Sequence, residues 1–254
     1  MNAAELTLPE RASKPRSRGL TLLIDNGVPL HHFQDVVESF DGFIDFVKFG
    51  WGTSVITKHL TDKIRCLEEH DIGWFFGGTL FEKYVYQGKL AEYRRYLRQH
   101  GGRYVEISNG TIDLSNAEKA QYIREFSSEF TVFSEVGFKD GEKSIHLSPA
   151  RWIEYIQEDL AAGAFKVITE ARESGTSGIC RSNGEVRYGL IEEIADSGID
   201  LDKVVFEAPN KTLQTYFIRL FGTNVNLGNV AFDDAVALET LRLGLRSDTL
   251  LQFS

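Results

Sequence analysis

Short apolar runs of β type recur along the chain, and each closes on a polar residue. Leu22-Leu23-Ile24 ends in Asp25, Phe46-Val47 in Lys48, Tyr104-Val105 in Glu106, Val132-Phe133-Ser134 in Glu135, Val167-Ile168-Thr169 in Glu170, Val204-Val205-Phe206 in Glu207, and Val225 in Asn226. The runs predict strands near 20–25, 44–49, 72–76, 103–107, 131–135, 165–170, 204–207 and 225–227. Between them, apolar residues at three- and four-residue steps predict helices over 30–40, 57–70, 81–100, 116–127, 148–163, 185–196, 211–221 and 232–246. Ser115, with Glu118 three residues on, predicts a capping box for the fourth. Eight strand-then-helix units without repeat or linker predict an α/β chain folded as a single (β/α)8 TIM barrel over residues 19–254. In that fold the C-terminal strand ends carry the active site, so the polar series should converge on one mouth. A buried charge is heavily penalised unless it meets a partner, a metal or a polar ligand, so the series reads as a site.

The connections add candidates. Loops 136–147 and 171–184 exceed the roughly two to six residues usual for such units. The second offers the Arg172 guanidinium, the Ser174 hydroxyl and the Gly175 amide as a cradle for phosphate or carboxylate oxygens. Asn226 and Gly228 lie after the predicted last strand, where barrels often bind phosphate. Lys48 either neutralises neighbouring carboxylates or takes part in the chemistry, and Gly77-Gly78-Thr79 either cradles an anion or merely ends a strand. Gly50-Trp51-Gly52 lacks the third glycine of a dinucleotide fingerprint and is expected to turn tightly, with Trp51 over the site. Lys166 opens its strand and should face the opposite end of the barrel. The histidines show no metal-ligand spacing, and no nucleophile elbow is present.

Charge narrows the partners. A net charge of −9 over 254 residues argues against nucleic acid or an anionic membrane, so any bound anion must be met by a few aimed cations or a metal. Cys66 and Cys180 are far apart and read as free thiols of a reducing compartment. With no bilayer-length apolar run and no secretory signal, a cytoplasmic protein is expected, and a homo-oligomer. Residues 1–18 close in Lys14-Pro15-Arg16-Ser17-Arg18 and are expected to form a basic, solvated N-terminal arm.

Several ordered blocks together resemble the phosphosulfolactate synthase family, in particular its bacterial branch. They are Asp25-Asn26-Gly27, Phe46 to Ser54, Gly77 to Glu82, Val105 to Gly110, Glu135-Val136-Gly137, Glu170 to Gly175 including Glu173, Phe206-Glu207-Ala208-Pro209, and Asn224 to Leu227. The resemblance spans about Gly19 to Thr249. It implies a Mg²⁺-dependent lyase that adds sulfite to phosphoenolpyruvate, giving (2R)-2-O-phospho-3-sulfolactate, a step towards coenzyme M in archaea and associated with sulfolactate in spore-forming bacteria. The family's proton-donor lysine matches Lys139, whereas Asn26, Asn109 and Phe138 depart from the archaeal pattern.

Charge reasoning assigns roles. Both reactants are anions, so cations must neutralise them before sulfite sulfur can attack the methylene carbon. Glu106, Glu135 and Glu170 are the candidate Mg²⁺ ligands, since hard oxygen donors suit that ion. Lys139 would protonate the carbanion, while Lys48 and Arg172 hold carboxylate and phosphate. Ser174, Gly175, Asn226 and Gly228 would surround the phosphate, and Asp25 and Glu207 complete the substrate-binding set. A metal-dependent aldolase or other enolate-forming lyase would use the same groups, and a non-catalytic barrel with a binding or stress-protection role is the reading from another class.

Overall fold

Within each strand the two-residue alternation sorts side chains into two cores. Leu22, Phe46, Phe75, Phe133, Ile168 and Val205 point inward and fill the barrel in one small cluster, with Phe75 and Phe133 stacked at 4.8 Å between ring centroids. The residues of opposite parity pack outward against the helices. The computed structural model describes residues 5–172 and 174–253; Glu173 of the quoted Glu170 to Gly175 block lies outside them.

The strands are β1 (Thr21–Asp25), β2 (Phe46–Phe49), β3 (Gly73–Phe76), β4 (Tyr104–Ile107), β5 (Thr131–Val136), β6 (Lys166–Thr169), β7 (Val204–Glu207) and β8 (Leu227–Val230). All paired strands are parallel, and ladders run from β3 through β2, β1, β8, β7, β6 and β5 to β4. At the β3/β4 seam side chains meet instead: Phe46 packs edge-on to Tyr104 at 5.0 Å. A Cβ at Gly73 would strike the Phe46 ring at 2.4 Å, so this seam requires glycine. The result is a nearly closed (β/α)8 barrel.

The helices are α1 (Leu30–Phe40), α2 (Thr53–Ile56), α3 (Leu60–Glu69), α4 (Gly78–Tyr86), α5 (Leu90–Gln99), α6 (Asn116–Phe126), α7 (Gly141–His146), α8 (Pro149–Ala161), α9 (Tyr188–Asp196), α10 (Lys211–Phe221) and α11 (Ala235–Arg242). The capping box at Ser115 is formed. Where one helix is expected over 81–100 there are two, because Gly88 takes φ +65° and breaks the run. Loop 136–147 contains α7, capped by Asp140. The last strand lies later than its apolar pattern predicts: β8 starts at Leu227, paired with Phe206, and Gly228 pairs with Glu207.

The basic arm leaves Arg18 exposed but docks three of its cations on the barrel. Arg11 pairs with Glu239 at 2.9 Å and also bonds Asn224. Arg16 pairs with Asp45 at 2.9 Å, and Lys14 donates to the carbonyls of Asp41 and Ile44. Acceptors left over at the N-terminal ends of the strands draw the arm across that end. Lys166 joins them there, donating to Ser17 and Asp202 carbonyls.

Candidate functional site

Four consecutive strands, β4 to β7, send Glu106, Glu135, Glu170 and Glu207 to one mouth, each buried. Glu135 has the parity of the inward Phe133, Glu170 that of Ile168, and Glu207 that of Val205, so the alternation that fills the barrel also aims the acids over it. Three of them are oriented by backbone N–H groups of neighbouring loops: Gly78 donates to Glu106 at 2.7 Å, Arg172 to Glu170 at 2.7 Å and Ala171 to Glu207 at 2.7 Å. The glycine is required, because a Cβ at Gly78 would lie 2.8 Å from Glu106 Oε1 and 2.3 Å from Ser108 Oγ. The anion that Gly77-Gly78-Thr79 receives is thus the protein's own carboxylate.

Two lysines enter this acidic ring. Lys48 Nζ lies 3.2 Å from Glu106, 3.2 Å from Glu207 and 3.5 Å from Glu135. Lys139 Nζ lies 2.7 Å from Glu135 and 2.9 Å from Glu170. Lys143, four residues beyond Lys139, is exposed on α7 and stands outside the ring. Burial opposes the charge on both ring lysines, but the surrounding carboxylates outweigh it and hold both ammoniums above their ordinary range. Burial raises Glu106 to about 7 against the pull of Lys48. Burial and then the Glu135 charge push Glu170 well up, and burial raises Glu207. Glu135 goes the other way, because Lys139 and Lys48 together overcome its burial. Glu106 Oε2 and Glu170 Oε2 face the lysines at ion-pair distance without a well-directed hydrogen bond.

Arg172 and Trp51 border the same space, together with Ile24, Thr79 and Asn229. Three of the five non-glycine residues with positive φ among those described are at this mouth: Trp51, Arg172 and Asn229. Backbone strain of this kind clusters at functional sites. The free space is ≈20 Å³, enough for about one water. A larger cavity of ≈390 Å³ lies between Glu68, Trp74 and Arg103, near the starts of β3 and β4 and away from the acids.

Other candidates are placed elsewhere. Asp25 has outward parity; its carboxylate accepts from Lys63 of α3 at 2.5 Å and from the Gly27 and Val28 amides, so it ties a helix to the strand end. Asn226 precedes β8 at the N-terminal end, where its amide bonds Leu20, Asp202 and Val204 backbone groups. Gly228 borders a small void beneath the mouth. Ser174 is exposed and bonds Thr176, and Gly175 packs against Asn210; neither borders the mouth. Among the family departures, Asn26 is exposed, Asn109 donates to the Leu114 carbonyl and Phe138 packs against the outer core. Sequence reasoning missed Asn229 as a residue of the mouth; it directly follows the inward Gly228 within β8, and only its positive φ of 53°, where the β1/β8 register shifts, breaks the alternation and brings it there.

Residues 9–248 match the (2R)-phospho-3-sulfolactate synthase (ComA) family. Phosphosulfolactate synthase of Bacillus subtilis is 59% identical over 249 residues, covering 98% of this chain and 99% of that protein. The protein of the same name from Methanocaldococcus jannaschii is 41% identical over 236 residues, covering 91% and 94%. A crystal structure of 3-hexulose-6-phosphate synthase superposes with a TM-score of 0.56 at 15% identity, covering 88% of this chain and 97% of that one, a likeness of fold.

Proposed function

The chain belongs to the phosphosulfolactate synthase family and catalyses C–S bond formation between sulfite and phosphoenolpyruvate, and we propose that it does so with Mg²⁺ held by Glu106, Glu135 and Glu170. The observation that carries this reading is the pair of lysines set among four strand-end carboxylates. With all six groups ionised, four negative and two positive charges leave −2 in a buried ring. The Glu106 and Glu170 oxygens without a directed hydrogen bond suit a hard cation. Among the described residues no three such side chains surround a ready-made metal position, and the Lys139 ammonium stands between Glu135 and Glu170 instead. When bound there, Mg²⁺ would supply charge neutralisation for the substrate carboxylate and for negative charge developing next to it.

The chain's own groups divide the remaining work. Lys48 and Arg172 neutralise carboxylate and phosphate, with Glu207 holding Lys48. As sulfite sulfur bonds to the methylene carbon, the π electrons move to the carbon bearing the carboxylate. Lys139 gives its proton to that carbon and is reprotonated from solvent. A lysine kept charged by its neighbours is suited to this task, because the acid needs placement and not a raised acidity. We infer a cytoplasmic protein, a reading that the buried free thiols of Cys66 and Cys180 support. No helix of the described residues is long and apolar enough to cross a membrane.

Incubation with phosphoenolpyruvate, sulfite and Mg²⁺, followed by ³¹P NMR, tests the reading. The expected result is a new phosphate-ester resonance that needs sulfite, is lost with EDTA and returns with Mg²⁺ or Mn²⁺. Equal turnover of metal-stripped protein would contradict the metal assignment, and turnover with aldehydes in place of sulfite would favour the aldolase alternative.

A further inference from the structure

The mouth is electrically lopsided. Strands β4 to β7 contribute Glu106, Glu135, Glu170 and Glu207, and the Lys48 side chain reaches from β2 to these acids, whereas the other half of the ring is lined by Asn229, Ile24 and Gly77. Anions are repelled from the first half unless a cation stands between. Phosphoenolpyruvate brings a carboxylate and a phosphate that bind cations, so those groups are drawn to the acidic half by Lys48, Lys139 and Arg172. Its methylene carbon then faces the uncharged half, and sulfite must approach from there.

Asn229 is the polar side chain waiting on that half. It is 7% exposed, its backbone holds φ +53°, and its Oδ1 makes no hydrogen bond. With Lys48 it also borders the void just below the mouth. A buried polar atom without a partner destabilises a fold, so its place here calls for a ligand. A carboxamide can turn to present either its oxygen or its NH₂, and it meets an oxyanion without adding charge. We propose that Asn229 contacts sulfite and that it sets the sulfur lone pair toward the methylene carbon. The inference rests on the functional reading above. The bond made is C–S, the displaced π pair goes to the neighbouring carbon, and Lys139 supplies the proton, so no further reactant is needed.

The test uses two variants of the full chain. Asn229→Gly removes the amide while accepting positive φ, and Asn229→Asp keeps the shape while placing a negative charge before sulfite. Asn229→Gly should raise the KM for sulfite roughly ten- to a hundredfold, as for a lost hydrogen bond to a charged group. Asn229→Asp should raise it further, with the KM for phosphoenolpyruvate within about twofold of wild type in both and Mg²⁺ affinity unchanged by calorimetry. An unchanged KM for sulfite in both variants, or an equal rise for phosphoenolpyruvate, would overturn the assignment. Wild-type protein inactive with sulfite would instead overturn the functional reading on which it rests.

Discussion

Asn226 and Asn229 are three positions apart at opposite ends of one strand, and the backbone separates their duties. Asn226 Oδ1 accepts from Leu20 N at 3.0 Å and its Nδ2 donates to Val204 O at 2.9 Å, both at the end remote from the acids. Asn226→Ala should therefore lower unfolding free energy by roughly 1–3 kcal/mol in urea titrations, leaving the KM values unchanged. Arg172→Ala should do the reverse, raising the KM for phosphoenolpyruvate with stability little altered, because the side chain is exposed at the mouth. An unchanged KM would move Arg172 out of the binding set. The strand-end glutamates were legible because each ends an apolar run that proves to be a strand. Asp25 could have been separated from them by parity alone, since Leu22 and Ile24 face inward and Asp25 follows Ile24. Asn229 was hidden because Val225-Asn226-Leu227 looks like the end of a run when it is the approach to one.

At the scale of elements, buried charges from the helices fix the ends of the strands. Lys63 of α3 holds Asp25, and Lys119 of α6 donates to the Glu135 carbonyl at 2.9 Å while pairing with Asp159 of α8 at 2.7 Å. Glu82 of α4 accepts from Ser108, Thr111 and Ile112 beyond β4. Asp25→Ala would leave the Lys63 ammonium buried without its partner, so a loss of about 3–5 kcal/mol is expected in thermal or urea unfolding. A loss below about 1 kcal/mol would show that solvent reaches Lys63. Such ties join residues tens of positions apart and have no local pattern, which is why the helices were legible and their attachments were not. The two long loops are joined in the same way. Gly178 N donates to Ser144, Ser177 to the Phe138 carbonyl, and Arg187 to the carbonyls of Ser144 and Leu147. Their length was readable from the chain; their union into one cover was not.

For the molecule as a whole, the ring of acids and the ≈20 Å³ mouth set two requirements. Phosphoenolpyruvate exceeds that space, so the joined loops carrying Lys139 and Arg172 must shift to admit it. If Mg²⁺ binds at the proposed ligands, those acids must also give up protons, because burial raises Glu106 to about 7 and, with the Glu135 charge, holds Glu170 well above its ordinary range. The sign follows: protons bound by the metal-free form oppose the metal, so Mg²⁺ affinity should rise as pH climbs through about 7. Calorimetry near pH 7 in buffers of different ionisation enthalpy should register proton release, and none would mean that these carboxyls are already ionised.

In the proposed reaction the Lys139 ammonium, held by Glu135 and Glu170, delivers the proton that completes addition of sulfite. It is tested most directly by the turnover number with saturating phosphoenolpyruvate, sulfite and Mg²⁺ for wild type, Lys139→Ala and Lys143→Ala. The account predicts a fall of roughly 10²–10⁴-fold for Lys139→Ala, as for a lost general acid, with near-normal turnover for Lys143→Ala. Near-normal turnover of Lys139→Ala would contradict it.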